Sequence, residues 1–304
     1  MRHRIKQLIR SVTDSPEEGK KKNKALQFGV KVFFTVLAIY LVLSNLDIDE
    51  LGKQFVRFPW WGLVPATLLH IASKVVSADR QNVFYHAIGA TLKRGYNYRL
   101  YFVSMFYSLL LPGGISGDGY KVVHVIRLYP EISKRSVAAA TLLDRIAGMS
   151  LLSVLAVIFG VVAIDLLPMW IKLSGGVLLI GTIFVLEHLV VRWIKKDLIT
   201  ILPKINLLSL GVQLLQVCEV LILLWLFGVT THWSAYATLF LLGSVATIIP
   251  ISIGGLGMRE LVFSLGGSWL GLDTEVAVAT ASIFYLTTLL SAVPGMFLSW
   301  TRKF

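Results

Sequence analysis

Two stretches of the sequence place charged residues directly after helix-breaking residues in apolar surroundings. LPGGISGDGYK contains Asp118 and Lys121, and IPISIGGLGMRE contains Arg259 and Glu260. A helix that restarts after a break has unpaired backbone N–H groups and a partial positive charge at its N-terminus, which favour anions. The break residues are Pro112, Gly113, Gly114, Pro250, Gly254, Gly255 and Gly257. Together with the charged residues they predict a substrate-binding site for an anion.

Other charged residues lie inside apolar stretches, where a charge without a partner is costly. Asp144 and Arg145 are neighbours in a helical pattern and point about 100° apart, so each needs a partner on another element. An interhelical ion pair is the alternative to a substrate contact for both. Glu219 falls near the middle of another apolar stretch. Four alternatives are open for Glu219: it stays protonated, it pairs with Arg145 or Arg259, it holds a coupling proton, or it makes a polar packing contact.

A polar stripe follows another apolar segment at helical spacing. Its members are His70, Ser73, Lys74, Ser77, Arg80 and Gln81. Arg80 is a candidate substrate-binding residue, although long basic side chains near a helix end also reach the membrane surface without any functional role. No sequence pattern for ATP binding or metal-dependent catalysis accompanies these residues, so neither a cofactor nor a metal is expected.

The chain is too apolar for an ordinary soluble protein. Of its 304 residues, 56% are hydrophobic and 15% are charged, and the mean hydropathy is +0.74. This composition predicts a polytopic membrane protein. The net charge of +12 comes from clusters between apolar runs, which indicates membrane topology rather than nucleic-acid binding. The single cysteine, Cys218, excludes a disulfide framework.

Six apolar runs approach the length of one bilayer crossing, about 20 helical residues. They cover 26–46, 60–77, 137–167, 169–191, 207–229 and 276–300. Shorter runs flank the two breaks in pairs, at 98–111 with 115–128 and at 234–249 with 256–270. We interpret each pair as a re-entrant helical hairpin and the two hairpins as corresponding parts of a repeat. The prediction is an all-α integral membrane protein with a basic cytoplasmic segment, 1–24, and one transmembrane domain, 25–304.

The distribution of positive charges orients this arrangement. With the N-terminus in the cytoplasm, the basic clusters fall on the cytoplasmic side. They comprise Lys93, Arg94, Arg99, Lys134, Arg135, Arg192, Lys195, Lys196, Lys204, Arg302 and Lys303. The C-terminus is then cytoplasmic too. Because an odd number of spans separates the two hairpins, they enter the membrane from opposite faces and are inverted relative to each other. Discontinuous helices that meet from opposite faces are typical of substrate sites in secondary transporters.

The stretches LPGGISGDGYKVV, LLDRIAG and IPISIGGLGMRE resemble the three characteristic motifs of the lysylphosphatidylglycerol synthase transmembrane region, or flippase-like domain family. The resemblance extends over nearly the whole chain after the basic N-terminus. The residues that match motif positions are Asp118, Asp144, Arg145, Arg259 and Glu260. In that family the domain occurs alone, fused to glycosyltransferases, or ahead of the aminoacyltransferase domain of the multiple peptide resistance factor, where it is assigned to moving aminoacylated phosphatidylglycerol between leaflets. No such domain follows Trp300, so lysyl transfer is not expected.

The resemblance implies a non-enzymatic protein of the bacterial cytoplasmic (inner) membrane. Its expected function is flippase-like or scramblase-like translocation of an anionic phospholipid or a polyprenyl-phosphate-linked lipid. A lipid with an anionic head group is the expected partner, while a homodimer and an envelope glycosyltransferase partner are left open.

Two alternative functions are also left open. The GxSG at Gly114–Gly117 matches the motif of intramembrane serine proteases, although no histidine is well placed to serve Ser116. A non-catalytic scaffold for envelope glycan or lipid synthesis explains the spans, but it does not explain two charged breaks.

Overall fold

The structure is a computed structural model that describes residues 47–110, 116–247 and 256–300, together with 32, 33, 36, 37 and 39–44. These residues form helices and connecting turns, and no strand occurs among them, in agreement with the all-α prediction. The predicted cytoplasmic segment 1–24 lies outside the described residues. So do the break residues Pro112, Gly113, Gly114, Pro250, Gly254 and Gly255.

From Asp47 onward, the part of the chain that the structure describes forms ten α-helices. They are α1 (Ile48–Arg57), α2 (Leu63–Ala87), α3 (Arg94–Leu110), α4 (Ser116–Leu128), α5 (Lys134–Ala163), α6 (Met169–Lys195), α7 (Leu202–Leu226), α8 (Trp233–Ala246), α9 (Met258–Trp269) and α10 (Thr274–Trp300). Short 3-10 helices cover Trp60–Gly62 and Lys196–Ile201. Helix α1 is not among the apolar runs of the sequence, because the feature that marks it is a polar cap. The Asp47 side chain caps the helix by accepting from the N–H groups of Asp49 and Glu50.

Within the described residues, four helical stretches are long and apolar enough to cross a membrane. They are Trp60–Ala87, Lys134–Ala163, Met169–Leu226 and Thr274–Trp300. The third contains both α6 and α7. These two helices are separate because the backbone departs from helical geometry at Lys195, where φ is −158° and ψ is 91°. Asn206 Nδ2 on α7 then donates back to Glu187 Oε2 on α6 at 3.0 Å. The chain is thus an all-α polytopic membrane protein, with helices at five of the six predicted spans; the sixth, 26–46, is only partly described.

The short apolar runs form two helical hairpins. α3 packs on α4, and α8 packs on α9; these helices have 17, 13, 14 and 12 residues. α3 begins where α10 ends, since Arg99 Nη2 donates to the Leu298 carbonyl at 3.1 Å. At the other end of the bundle, the Asp47 N–H donates to Glu275 Oε1 at 3.4 Å, near the loop that joins α9 to α10. The hairpins therefore open toward opposite ends, as the inverted arrangement predicts.

The packing of the helices repeats when the two halves are exchanged. In this exchange, α2, α3, α4 and α5 correspond to α7, α8, α9 and α10, in that order. The contact of α3 with α10 then corresponds to the contact of α8 with α5. The same exchange relates the contact of α4 with α5 to that of α9 with α10, and α2 packs on α7. Each hairpin is therefore held between the long helix of its own half and that of the other half, an inverted-repeat architecture.

Close packing around α3 depends on two glycines. A Cβ at Gly117 on α4 would collide with the carbonyl oxygen of Ser104, and one at Gly295 on α10 with the carbonyl oxygen of Phe102. Small residues that let helix backbones approach are typical of helix packing in membranes. The first hairpin therefore fits tightly against the last helix.

Two buried apolar clusters enclose the centre of the bundle. One includes Leu224 on α7, Phe240 on α8 and Ala277 on α10. The other includes Phe84 on α2 and Leu143 on α5, with residues from the beginning of α7. Along α2, α5 and α7, buried polar and charged residues separate the two clusters. The candidate functional residues are among them.

Candidate functional site

Arg80 joins three helices through a buried ion pair. Its Nε lies 2.8 Å from Asp144 Oδ1 on α5, and both side chains are 8% exposed. Its Nη1 donates to Ser209 Oγ on α7 at 3.0 Å. A Cβ at Gly148 would lie 3.0 Å from Nη1, so α5 accommodates the guanidinium by lacking a side chain at that position. Arg80 and Asp144 thus form a fixed pair at the crossing of α2 and α7.

A second charged cluster connects the first hairpin to α5. Arg145 Nε donates to Asp118 Oδ2 on α4, and Lys121 Nζ lies 3.5 Å from Asp118 Oδ1. Lys121 also lies over the ring of Tyr101 on α3, 4.2 Å from its centroid. The Arg145 side chain is 37% exposed, whereas that of Asp118 is 15% exposed. Asp144 and Arg145 therefore have different partners, as their angular separation predicts.

Glu219, on α7, is fully buried. Its Oε2 lies 2.9 Å from His70 Nδ1 on α2, and Thr287 Oγ1 on α10 donates to its Oε1. Of the alternatives for Glu219, a direct ion pair with Arg145 or Arg259 is not found among the described residues, where its hydrogen-bond partners are His70 and Thr287. The reason is that the crossing of α2 and α7 brings the polar stripe of α2 against Glu219.

Arg80 and Glu219 are equivalent under the exchange of halves. They occupy the same position counted from the first residue of α2 and of α7, and so do His70 and Ser209. Arg80 contacts Ser209 and a residue of α5, whereas Glu219 contacts His70 and a residue of α10. The repeat therefore extends to side-chain contacts, with an arginine in one half and a carboxylate in the other.

A polar cavity of about 250 Å³ lies beside Glu219, between α2, α7, α8, α9 and α10. Its lining residues are His70, Lys74, Gln216, Ser244, Thr247, Arg259, Glu260, Phe284, Tyr285 and Thr288. The cations Lys74 and Arg259 border it together with one carboxylate, that of Glu260. Glu260 Oε2 accepts from the N–H of Gly257 at 2.9 Å, so this carboxylate is occupied in capping α9. The arrangement leaves positive charge available to an anion.

Gly257 turns the chain into α9. Its φ of 83° is left-handed, a conformation that glycine adopts without a steric penalty. The predicted site residues Gly257, Arg259 and Glu260 therefore lie together at the entrance to this helix, next to the polar cavity.

Two aromatic rings make cation–π contacts with Arg259. Its guanidinium carbon lies 4.4 Å from the ring centroid of Phe284 and 5.5 Å from that of Phe240. Nη2 donates to Ser244 Oγ at 3.4 Å. Nε is buried without a hydrogen-bond partner among the described residues. Because cation–π contacts leave the N–H groups of the guanidinium edge free to bond, Arg259 is suited to bind an anion.

An apolar cleft of about 200 Å³ adjoins the polar cavity. The cleft and the cavity share Glu260 and Tyr285. The rest of the cleft is lined mainly by aliphatic side chains, such as Val42, Leu51 and Val278. A polar, positively charged cavity beside an apolar cleft matches a ligand with an anionic head and a hydrocarbon chain.

The predicted site residues form two groups. Around the first hairpin lie Arg80, Asp118, Lys121, Asp144 and Arg145, joined by ion pairs. Around the second hairpin lie Glu219, Gly257, Arg259 and Glu260. Contact of either group with a substrate stays a prediction.

The candidate site also contains residues that the sequence analysis did not select. His70 and Lys74 belong to the polar stripe of α2, whose helical spacing was a usable signal. Ser209 precedes Gln213, Gln216 and Glu219 in a polar set on its own apolar run, which was a usable signal too. Thr287 had no such signal, because threonine is common in membrane helices. Among the described residues, no group of three or more His, Cys, Asp or Glu could hold a metal ion.

Long apolar helices, inverted hairpins and buried charges define a polytopic membrane protein with an internal repeat. The family model described as lysylphosphatidylglycerol synthase TM region matches residues 28–295, and the chain belongs to this family. The match confirms the resemblance found in the three motifs and covers both hairpins. A comparison with curated proteins finds no match.

Proposed function

We propose that the chain moves a lipid with an anionic head group between the leaflets of the membrane, as a flippase-like or scramblase-like translocator. The observation that supports this proposal is the polar cavity, with Lys74 and Arg259, beside an apolar cleft. The head-group phosphate binds the two cations, while the hydrocarbon chain remains in the cleft and the bilayer. Membership in a family named for a lipid synthase supports a lipid as the substrate class.

The inverted repeat provides a path between the leaflets. In this structure the cavity lies beside the second hairpin, whereas the equivalent region beside the first hairpin is crossed by the pairs of Arg80 with Asp144 and Asp118 with Arg145. Opening the first hairpin while the second closes would offer the same head group to the opposite face. Alternating exposure of one site by two inverted repeats is the mechanism of many transporters.

The proposal assigns no covalent step to the chain. Ser116 and His124 lie eight residues apart on the same helix, α4, and their backbones are separated by about 12 Å along its axis at 1.5 Å per residue. His124 Nδ1 instead lies 3.3 Å from the Tyr120 carbonyl oxygen of the same helix. A fluorophosphonate probe that labels Ser116 would support the protease alternative.

The proposed location is the bacterial cytoplasmic membrane, with both termini in the cytoplasm. The proposed partner is the anionic lipid itself. Native mass spectrometry of the purified protein would identify co-purified lipids and distinguish monomer from homodimer. Co-purification with an envelope glycosyltransferase would test that further partner.

Reconstitution into liposomes tests the proposed function. Fluorescent phosphatidylglycerol, phosphatidylcholine and polyprenyl phosphate are scored for exposure to a membrane-impermeant quencher. Replacing Lys74 or Arg259 by Gln removes a charge-assisted hydrogen bond, worth about 1.5–3 kcal/mol, so transport of phosphate lipids at limiting concentration should slow roughly ten- to a hundredfold.

Lys53→Gln is the matched control, because its side chain is 58% exposed and lies outside the cavity. This variant should transport at the wild-type rate. Rates equal to those of protein-free vesicles for every lipid tested would contradict the proposal and favour a scaffold.

A further inference from the structure

We propose that the lipid anion moves together with a proton held by the pair His70 and Glu219, so that the chain is a proton-coupled lipid transporter. This inference rests on the proposed function and adds its driving force. It is based on the position of His70, which lines the cavity and contacts Glu219.

His70 lies between a carboxylate and the cavity. Its Nδ1 is 2.9 Å from Glu219 Oε2, and its side chain is 1% exposed. The other ring nitrogen, Nε2, is buried without a hydrogen-bond partner among the described residues. An Nδ1–H that donates to the carboxylate leaves the Nε2 lone pair free to accept a proton. Since His70 also lines the cavity, this proton would be added beside the anion.

The charged and titratable groups around the pair come from several helices. They are Lys74 on α2, Arg259 and Glu260 on α9, and Tyr285 on α10. α8 contributes the hydroxyl of Ser244, and α10 also contributes that of Thr287, which donates to Glu219. Further along α2, Arg80 is neutralised by Asp144 on α5. Lys74 and Arg259 are therefore the cations that line the cavity together with His70.

Anion binding changes the charge balance around His70. With the cavity free of anion, the positive charges of Lys74 and Arg259 disfavour a third cation on His70. An anion held by these two residues cancels their repulsion and places negative charge beside the imidazole. Nε2 then takes a proton from water on the side to which the cavity is open. The proton leaves Nε2 for water on the other side when the anion departs, so proton and lipid move in the same direction.

The other half of the repeat lacks this chemistry. The residue equivalent to Glu219 is Arg80, whose guanidinium is not deprotonated in proteins. The residue equivalent to His70 is Ser209, which does not titrate near neutral pH. Proton coupling is therefore placed in one half of the inverted repeat.

The test measures protons and lipid together. Liposomes with trapped pyranine hold the purified protein, valinomycin with equal potassium on both sides removes the membrane potential, and fluorescent phosphatidylglycerol is added outside. We expect about one proton to enter per lipid that moves. An inward proton gradient of one pH unit should raise the steady-state accumulation of lipid about tenfold, since one coupled proton transmits a tenfold concentration ratio.

His70→Gln should lower the ratio of protons to lipid to zero, whatever transport rate remains. The matched control is His86→Gln on the same helix, because His86 contacts the Leu92 carbonyl at 3.2 Å and lies outside the cavity. This control should keep the wild-type ratio. If His70→Gln does not fold, the wild-type ratio and its response to the gradient decide the question.

Two negative outcomes are distinguishable. Lipid transport by the wild type without proton entry and without a response to the gradient would overturn the coupling and leave the proposed function intact. Absence of lipid transport altogether would overturn both.

Discussion

Separating the charges of Arg80 and Asp144 should produce a large loss of stability. Both side chains are 8% exposed and 2.8 Å apart. Removing one partner of such a buried pair leaves an uncompensated charge and costs about 3–5 kcal/mol. Arg80→Gln and Asp144→Asn should therefore each lower the free energy of unfolding by about this amount. The double variant should recover most of the loss, because no unpaired charge then remains buried.

Reversible unfolding by SDS in mixed micelles would provide the four free energies of this double-mutant cycle. Lys53→Gln is the control, since the pair of Lys53 with Glu50 spans 3.0 Å but its side chains are 58% and 36% exposed. Exposed pairs contribute about 0–1 kcal/mol. If Arg80→Gln lowered the free energy of unfolding as little as this control, or if the losses of the two single variants simply added, Arg80 and Asp144 would not form a fixed structural ion pair. Arg80 would instead be a solvated group available to a substrate.

The remaining predictions concern topology and packing. A cysteine placed at Lys134 in a cysteine-free background should resist membrane-impermeant thiol reagents in intact cells, whereas one at Asp273 should react. Labelling at Lys134 would exclude the hairpin topology. Gly117→Ala should destabilise the protein by about 1–3 kcal/mol through its collision with Ser104. Gly119→Ala, with open space around its Cβ, should instead stabilise it by up to about 1 kcal/mol through helix propensity. A thermal melt of both variants measures the difference, and equal melting temperatures would contradict the tight fit of the hairpin.

The hairpins were predictable because proline and glycine interrupt apolar runs that are too short to cross a bilayer. The different partners of Asp144 and Arg145 were also predictable, since neighbours on a helix point in different directions. The identity of those partners was not, because it depends on how the hairpins pack between the two halves. Glu219 illustrates this limit: its charge suggested an arginine partner, but the crossing of two long helices supplied His70.

The sharing of hairpins between halves has a consequence for biosynthesis. α3 leaves the ribosome early, yet it packs against α10, which is made last. Arg99 donates to the carbonyl of Leu298, 199 residues later in the chain. Until α10 has been made, α3 lacks one of the helices against which it packs. Completion of the last helix therefore sets the time at which the first half reaches its final packing, and chains that end before α10 should be substrates for membrane proteases.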